Sequence, residues 1–315
     1  MWKAHPPPLL PKQKMNRPPR RRKPRLIKRT ITGAALAVVM ILGVCLQGWP
    51  LRLLLLICML MSLSEMYRAF RKVGADPVRW VGYTYCALAV CAQSLYAELG
   101  QGRLFSAISP AMFALIIGLL LAFTVIILKG KVAFDSMVST IFPMLYPGLF
   151  FSLILTLQDL DTRFASTLAL LFAFFLASVN DVFALFVGVK FGKHRLSPEI
   201  SPKKSIEGSI GGLTASVLFS MFIPMLLMKI APSVPALCAG FEHVILPPVW
   251  AFGLFGLIAG ALSQIGDLVA SLVKRHCGIK DFGAIFPGHG GMMDRMDGIL
   301  FCGVACYVFF KTMGM

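Results

Sequence analysis

Long apolar runs recur along this 315-residue chain, and they limit what it can fold into. Hydrophobic residues make up 57% of the sequence and charged residues only 14%, whereas soluble domains carry about 25% charged residues. A run of roughly 17 to 25 apolar residues can cross a bilayer as a helix. The sequence therefore predicts an all-α polytopic membrane protein and argues against a soluble globular protein.

About nine transmembrane helices can be placed, with boundaries that are soft by a few residues. They are residues 31–48, 50–64, 80–98, 107–128, 138–157, 164–188, 209–229, 246–273 and 296–311. We divide the chain into a tail (1–30), N-terminal transmembrane helices (31–175) and a C-terminal transmembrane region (176–315) that carries the polar motifs.

The net charge of +17 comes mostly from residues 1–30. This segment holds eleven Lys and Arg, seven Pro and no acid, a composition typical of disorder. It predicts a disordered basic tail that either lies on anionic lipid headgroups or acts only as a topology signal. The charge is a property of the tail and gives no argument for a nucleic-acid partner.

Charge also predicts the orientation of the bundle. If the tail is cytoplasmic, the inward-facing loops and their flanks carry fifteen Lys and Arg, and the outward-facing ones carry four. This distribution follows the positive-inside rule. It places the polar loops 189–208 and 274–295 on the same cytoplasmic side, which predicts a cytoplasmic-facing polar site built from the C-terminal half.

The densest polar stretch is residues 267–297, between the last two apolar runs. Its four carboxylates are Asp267, Asp281, Asp294 and Asp297. Ionisable groups at a membrane edge are costly and are functional candidates. Asp267 shares a helical face with Ser263, Ser271 and Lys274. Two explanations stay open for that face: a buried polar network between helices, or a functional acid that a divalent cation keeps ionised.

A glycine-rich turn and two acids end this stretch. Residues 288–291 (Gly-His-Gly-Gly) can turn tightly and direct amide N–H groups at an anion. Asp294 and Asp297 lie three residues apart, where the helix dipole alone already favours acids. The cationic residues nearby are Lys274, Arg275, Lys280 and Arg295. Carboxylates, cations and glycines together suit a site for a metal ion and a polyphosphate.

A second polar segment covers residues 178–212. Asp181 interrupts the sixth span, and the loop that follows is cationic. Ser201 is predicted to be a helix N-cap with Pro202 at the first helical position. Lys203 and Lys204 either bind phosphate or anchor the helix at the inner leaflet. Two cationic loops and several acids on one side favour phosphoryl or nucleotidyl transfer, in which positioning and charge neutralisation supply most of the rate.

Residues 271–297, SLVKRHCGIKDFGAIFPGHGGMMDRMD, resemble the signature of the phosphatidate cytidylyltransferase (CDP-diacylglycerol synthase) family. SPKKSIEG at residues 201–208 resembles a second family element. The resemblance implies the reaction of CTP with phosphatidic acid to give CDP-diacylglycerol and pyrophosphate. It also implies Mg²⁺, with room for a second ion such as K⁺, a homodimer, and a location in a bacterial inner (plasma) membrane.

The resemblance also implies roles for individual residues. Catalytic roles fall to Asp267, Asp294, Lys274, Arg275 and His289. Substrate binding falls to Ser201, Lys203, Lys204, Lys280, Gly290, Gly291 and Arg295. The metal ligands are Asp267 and Asp294, with Asp181 and Asp297 completing or supporting the site. The sequence leaves open which of these four acids contact the metal directly.

Three other classes of protein are alternatives. A CDP-alcohol phosphotransferase is disfavoured, because the sequence has no D-G-x-x-A-R…D-x-x-x-D run. A CTP-dependent lipid kinase would transfer the γ-phosphate to an alcohol and would need a base to deprotonate it. A transporter would place its acids near the bilayer midplane, often in two repeated halves. The acids here cluster toward one face in the C-terminal half, and no internal repeat is visible, so the transporter is disfavoured.

Overall fold

A computed structural model describes residues 23–99, 108–129, 134–286 and 290–314, with backbone alone for residues 23–32, 34 and 36. Most of the predicted basic tail and the predicted catalytic residue His289 therefore lie outside the described residues. The first helix begins at Lys23, which is within the segment predicted to be disordered.

Helices dominate the described residues. The helices are α1 (Lys23–Leu46), α2 (Trp49–Lys72), α3 (Arg79–Leu99), α4 (Pro110–Leu128), α5 (Phe134–Pro143), α6 (Phe150–Thr156), α7 (Arg163–Leu171), α8 (Ala177–Phe191), α9 (Ile206–Ile230), α10 (Pro235–Cys238), α11 (Val249–His276) and α12 (Met293–Thr312). Strands β1 (Arg195–Ser197) and β2 (Ser201–Ser205) form an antiparallel hairpin between α8 and α9.

Two of the long helical segments contain π-helical turns. The turn Met144–Leu149 joins α5 to α6, and Pro143 and Pro147 account for the break because proline removes a helix hydrogen bond. The turn Phe172–Leu176 joins α7 to α8. Each joined pair is long enough to cross a bilayer, at Phe134–Asp159 and at Arg163–Phe191.

The prediction of a helical polytopic membrane protein is confirmed, but the count of nine spans is not. Six segments in the described part of the chain are long and apolar enough to cross a membrane: Trp49–Lys72, Pro110–Leu128, Phe134–Asp159, Arg163–Phe191, Ile206–Ser233 and Val249–His276. The apolar part of α1 is only Ala37–Leu46. Polar residues such as Gln93 and Glu98 lower the hydropathy of α3, and Asp294 and Asp297 lower that of α12.

Close helix packing brings the polar residues of α8, α11 and α12 together. A Cβ atom at Gly212 of α9 would lie 2.8 Å from Asn180 Oδ1 on α8. A Cβ atom at Gly266 of α11 would lie 2.5 Å from the carbonyl oxygen of Asp297 on α12. Small residues at these positions let the helix backbones approach each other. The acids carried by these helices consequently gather at one end of the bundle.

The connections that follow α2, α8 and α11 meet at one end of the bundle. Arg275 Nε at the end of α11 donates a hydrogen bond to Ile200 O in the hairpin, at 3.3 Å. Met292 N, in the connection after α11, donates to Glu65 Oε1 near the end of α2, at 3.1 Å. The structure thus places the polar loops 189–208 and 274–295 together, as predicted.

The opposite end holds the connections from α1 to α2, from α6 to α7 and from α9 to α11. Gly48 N, between α1 and α2, donates to Gln158 Oε1 at 2.9 Å. Phe164 N at the start of α7 donates to Ala239 O at 3.2 Å, and Ala239 lies in the connection between α9 and α11. The alternating connections therefore separate to the two ends, as an up-and-down bundle requires.

The predicted N-cap at Ser201 is wrong. Ser201 begins strand β2, where it pairs with Ser197 of β1. The N-cap of α9 is Ser205, whose hydroxyl oxygen accepts a hydrogen bond from Gly208 N at 3.2 Å. Pairing with β1 holds residues 201–205 in an extended conformation. The helix therefore begins after strand β2 and not at the serine-proline pattern.

Candidate active site

Asp294 lies in the first turn of α12, and the loop that precedes this helix folds around its carboxylate. Asp294 Oδ1 forms an ion pair with Lys274 Nζ of α11 at 2.9 Å. Oδ2 accepts hydrogen bonds from Phe282 N at 2.8 Å and from Gly291 N at 2.9 Å. The side chain is only 4% exposed. Asp294 therefore fixes both a lysine and the shape of the loop.

Asp267 and Lys204 form a second ion pair, between α11 and strand β2. The exposed fractions of the two side chains are 27% and 26%, so the pair remains open to solvent and to a ligand. This contact joins the hairpin to α11 beside the first ion pair, since Lys274 lies two turns beyond Asp267 on the same helix.

The remaining two predicted acids belong to the same group. Asp181 of α8 is exposed and interacts electrostatically with Lys204, Asp267 and Arg295. Asp297 is buried and interacts with Asp267, Lys274 and Asp181. We call the set of six residues made of two lysines and four acids the acid–lysine cluster. Its members are Asp181, Lys204, Asp267, Lys274, Asp294 and Asp297.

Carboxylates of this cluster have the right chemistry for Mg²⁺, which prefers oxygen ligands. Among the described residues, however, no three of His, Cys, Asp and Glu form a ready metal site. Lysines pair two of the acids. Asp267 is open to an ion that displaces Lys204. Asp294 uses Oδ2 for two amides, so only Oδ1, now paired with Lys274, is free to change partners.

The other predicted site residues lie around the cluster. Lys203 and Lys280 are exposed and, within the described ranges, form no ion pair with its acids. Arg275 ties the hairpin to α11 through Ile200 O. Gly290 has φ 84°, a conformation that favours glycine, and a Cβ atom there would lie 2.8 Å from Asp294 Oδ2.

Glu65 belongs to this site and was missed by the sequence interpretation, which treated it as the flank of the second span. Its side chain is fully buried, and its carboxylate accepts hydrogen bonds from Met292 N and Met293 N at 3.1 and 2.9 Å. The sequence contains a signal that could have identified this residue. Glu65 is the one acid in the apolar sequence of α2, and an acid in such a sequence is a functional candidate.

A network of buried amide side chains lies next to the acid–lysine cluster, between α8, α9 and α11. Asn180 Nδ2 of α8 donates to Ser216 Oγ of α9 at 2.9 Å, and Gln264 Nε2 of α11 donates to Asn180 Oδ1 at 3.0 Å. Gln264 Nε2 also donates to Ser209 O at 3.0 Å. These contacts fix α8, α9 and α11 relative to one another, with Gln264 one turn before Asp267.

An apolar groove of about 320 Å³ runs between α9 and α11. Its lining residues are Ile210, Leu213, Thr214, Val217, Leu218 and Leu257. Five of the lining residues belong to α9 and one, Leu257, to α11. The first of them along α9, Ile210, follows Ser209, which contacts Gln264. The location of the groove next to a charged site suits a molecule with a polar head and an apolar chain.

Fold and site together define a polytopic helical membrane protein with a charged site at one end of its bundle. Residues 27–313 match the cytidylyltransferase family, and the chain belongs to that family. This match covers every described element from α2 to α12.

Three relatives carry the name phosphatidate cytidylyltransferase. The chain is 40% identical to the one from Thermotoga maritima over 135 residues, which is 43% of this chain and 46% of that protein. For Staphylococcus saprophyticus, identity is 34% over 183 residues, 58% of this chain and 62% of the relative. For Bacillus subtilis, it is 29% over 279 residues, 87% of this chain and 93% of the relative. The first two alignments thus span about half and about three fifths of the relatives.

Proposed function

We propose that this protein is a phosphatidate cytidylyltransferase, which transfers CMP from CTP to phosphatidic acid and gives CDP-diacylglycerol and pyrophosphate. The observation that carries the proposal is the acid–lysine cluster, which gathers Lys204 and Lys274 with four carboxylates at one end of a membrane bundle. The family match and the names of the three relatives support the same reaction.

The reaction follows from the charges in this cluster. An oxygen of the phosphatidate phosphate attacks the α-phosphorus of CTP, a new P–O bond forms, and the bond to the departing pyrophosphate breaks. The attacking phosphate is already anionic at neutral pH, so no residue has to serve as its base. Lys204 and Lys274 exchange their carboxylate partners for phosphate oxygens and stabilise the negative charge of pyrophosphate as it leaves.

Asp267 is the principal candidate to hold Mg²⁺, together with Asp294 through Oδ1 and with support from Asp181 and Asp297. Held by these carboxylates, a Mg²⁺ ion would supply positive charge that neutralises the phosphates. The cluster provides the hard oxygen ligands that this ion prefers. A second ion such as K⁺ would be accommodated by the same group of four acids.

The predicted orientation and assembly are part of this proposal. The protein spans the inner membrane of a bacterial cell. The end of the bundle that carries the cluster faces the cytoplasm, because Lys and Arg are concentrated in the connections at that end. CTP then reaches the site from the cytoplasm and phosphatidic acid from the bilayer. We also propose that the protein is a homodimer, as the family resemblance implies, and that it has no nucleic-acid partner.

Purified protein incubated with radiolabelled CTP, Mg²⁺ and phosphatidic acid tests this function. We expect the label to enter the lipid extract as CDP-diacylglycerol, with release of pyrophosphate. Lipid phosphate and CDP as products would instead identify the CTP-dependent lipid kinase. A lipid extract that stays unlabelled under every metal condition contradicts the proposal.

The groove between α9 and α11 gives a prediction about the lipid chain. Leu218→Trp adds bulk at a groove residue that is 62% exposed, so we expect KM for long-chain phosphatidic acid to rise several-fold. KM for a short-chain phosphatidic acid should stay unchanged, because a short chain does not fill the groove. The control Leu120→Trp adds the same bulk on α4, where Leu120 is 61% exposed. Equal KM values for Leu218→Trp and Leu120→Trp would contradict the groove's role.

A further inference from the structure

Glu65 connects the N-terminal helices to the loop that carries the acid–lysine cluster. Its carboxylate accepts hydrogen bonds from two consecutive backbone amides, Met292 N at 3.1 Å and Met293 N at 2.9 Å. These residues lie at the start of α12, just before Asp294. The first amides of a helix have no partner within the helix, and Met292 provides no side-chain cap. Glu65 therefore caps α12 from a different helix.

Two glycines make room for this carboxylate. A Cβ atom at Gly283 would lie 2.3 Å from Glu65 Oε1, and a Cβ atom at Gly291 would lie 2.4 Å from both Glu65 carboxylate oxygens. Both distances are too short for a Cβ atom unless the Glu65 carboxylate moves away. The loop therefore closes around Glu65, and its sequence leaves space where the carboxylate enters.

The same loop is held from its other side by Asp294. Asp294 accepts hydrogen bonds from Phe282 N and Gly291 N, while Glu65 accepts from Met292 N. Adjacent backbone amides at Gly291 and Met292 thus point to two different carboxylates. A loop held in this way has little freedom to move without releasing one of them, and Asp294 is the carboxylate that pairs with Lys274.

We propose that Glu65 is a positioning residue for the cytidylyl transfer, which docks Gly283 and residues 291–293 onto α2 and thereby sets Asp294 opposite Lys274. Glu65 itself is fully buried, so it is expected to act through the loop and not on the substrates directly. This inference rests on the proposed function, because its effect is measured in the rate of that reaction. It assigns a role in the reaction to α2, which lies outside the C-terminal region that carries the recognised motifs.

Substitutions of Glu65 test the proposal. Glu65→Ala leaves two buried amides without their charged acceptor, so we expect kcat per folded molecule to fall about 10- to 100-fold, with a smaller change in KM for CTP. Glu65→Gln keeps one carbonyl acceptor, and we expect it to recover part of the lost kcat. Hydrogen exchange should speed up at residues 282–286 and 290–293 in Glu65→Ala and stay unchanged in α4.

A double-mutant cycle with Gly283 adds a readout that general destabilisation does not produce. Gly283→Ala places a methyl group against Glu65 Oε1, so we expect it to lower kcat in the wild-type background. In the Glu65→Ala background the methyl group loses its two closest contacts and keeps only Gly291 Cα at 3.1 Å, so the additional loss should be several-fold smaller. Contacting residues show this kind of non-additivity. Strictly additive losses would overturn the proposal.

Glu98→Ala is the matched control, because it removes the same side chain from an exposed position at the end of α3; we expect it to keep wild-type kcat. Wild-type kcat per folded molecule in Glu65→Ala, or unchanged hydrogen exchange at residues 282–286 and 290–293, would overturn the positioning role. Either result leaves the proposed function intact, since the wild-type protein still forms CDP-diacylglycerol. A wild-type protein that forms none would overturn the function itself and, with it, this inference.

Discussion

Asp267→Asn is expected to lower kcat for CDP-diacylglycerol formation about 100- to 1,000-fold, the range seen when one electrostatic contact to a developing charge is removed. Asparagine has the same shape as aspartate but no charge. It can neither balance Lys204, its ion-pair partner, nor bind a divalent cation as tightly. Steady-state kinetics across a range of Mg²⁺ concentrations measure the loss, and excess Mg²⁺ should restore only part of the rate, because the negative charge at position 267 is still absent.

The control for Asp267→Asn is Asp161→Asn, at an exposed acid beside the start of α7, at the opposite end of the bundle. We expect the control variant to keep wild-type kinetics. The side chain of Asp267 is partly exposed, so both variants should keep the thermal stability of the wild-type protein. Near-wild-type turnover in Asp267→Asn would remove Asp267 from the reaction.

Asp294→Asn is expected to reduce both activity and stability. Its side chain is almost fully buried and holds Lys274 Nζ together with two backbone amides. An asparagine that keeps its carbonyl oxygen on the amides must turn its NH₂ group toward Lys274, which is itself a donor. Breaking one partner of a buried ion pair costs about 3 to 5 kcal/mol, so we expect a lower Tm in detergent and a large loss of kcat.

A double variant separates the two effects of Asp294. Adding Lys274→Met to Asp294→Asn removes the unpaired buried charge while keeping most of the side-chain volume. We expect the double variant to regain a large part of the lost Tm and none of the lost activity, because Lys274 and Asp294 both serve the reaction. Recovery of turnover together with Tm would show that the pair has only a structural role.

Local patterns in the sequence were sufficient to predict most of the architecture. The apolar run 107–128 became α4, and the run 246–273 became α11, because long apolar helices satisfy their own backbone hydrogen bonds in lipid. The grouping of loops 189–208 and 274–295 followed from charge counting and agrees with the contact of Arg275 with Ile200 O. Whether a segment forms a membrane helix, and on which side of the membrane each connection lies, depends on residues that are near one another in the sequence.

Contacts between distant residues could not be predicted in this way. Glu65 and Met292 are 227 positions apart, and no periodicity links a lone acid in α2 to a loop before α12. The N-cap at Ser205 was missed for a related reason, because strand β2 forms only when residues 195–197 pair with it. The pairing of Asp267 with Lys204 and of Asp294 with Lys274 likewise required the packed structure, although all four residues were singled out from the sequence.

The most direct test of the central claim follows each phosphate of CTP separately. Protein in lipid micelles is given phosphatidic acid and Mg²⁺ with CTP labelled at either the α- or the γ-phosphate. Cytidylyl transfer predicts α-label in the lipid extract and γ-label in pyrophosphate, with both signals lost in Asp267→Asn. The appearance of γ-label in the lipid, or equal α-label incorporation by wild type and Asp267→Asn, would contradict the account.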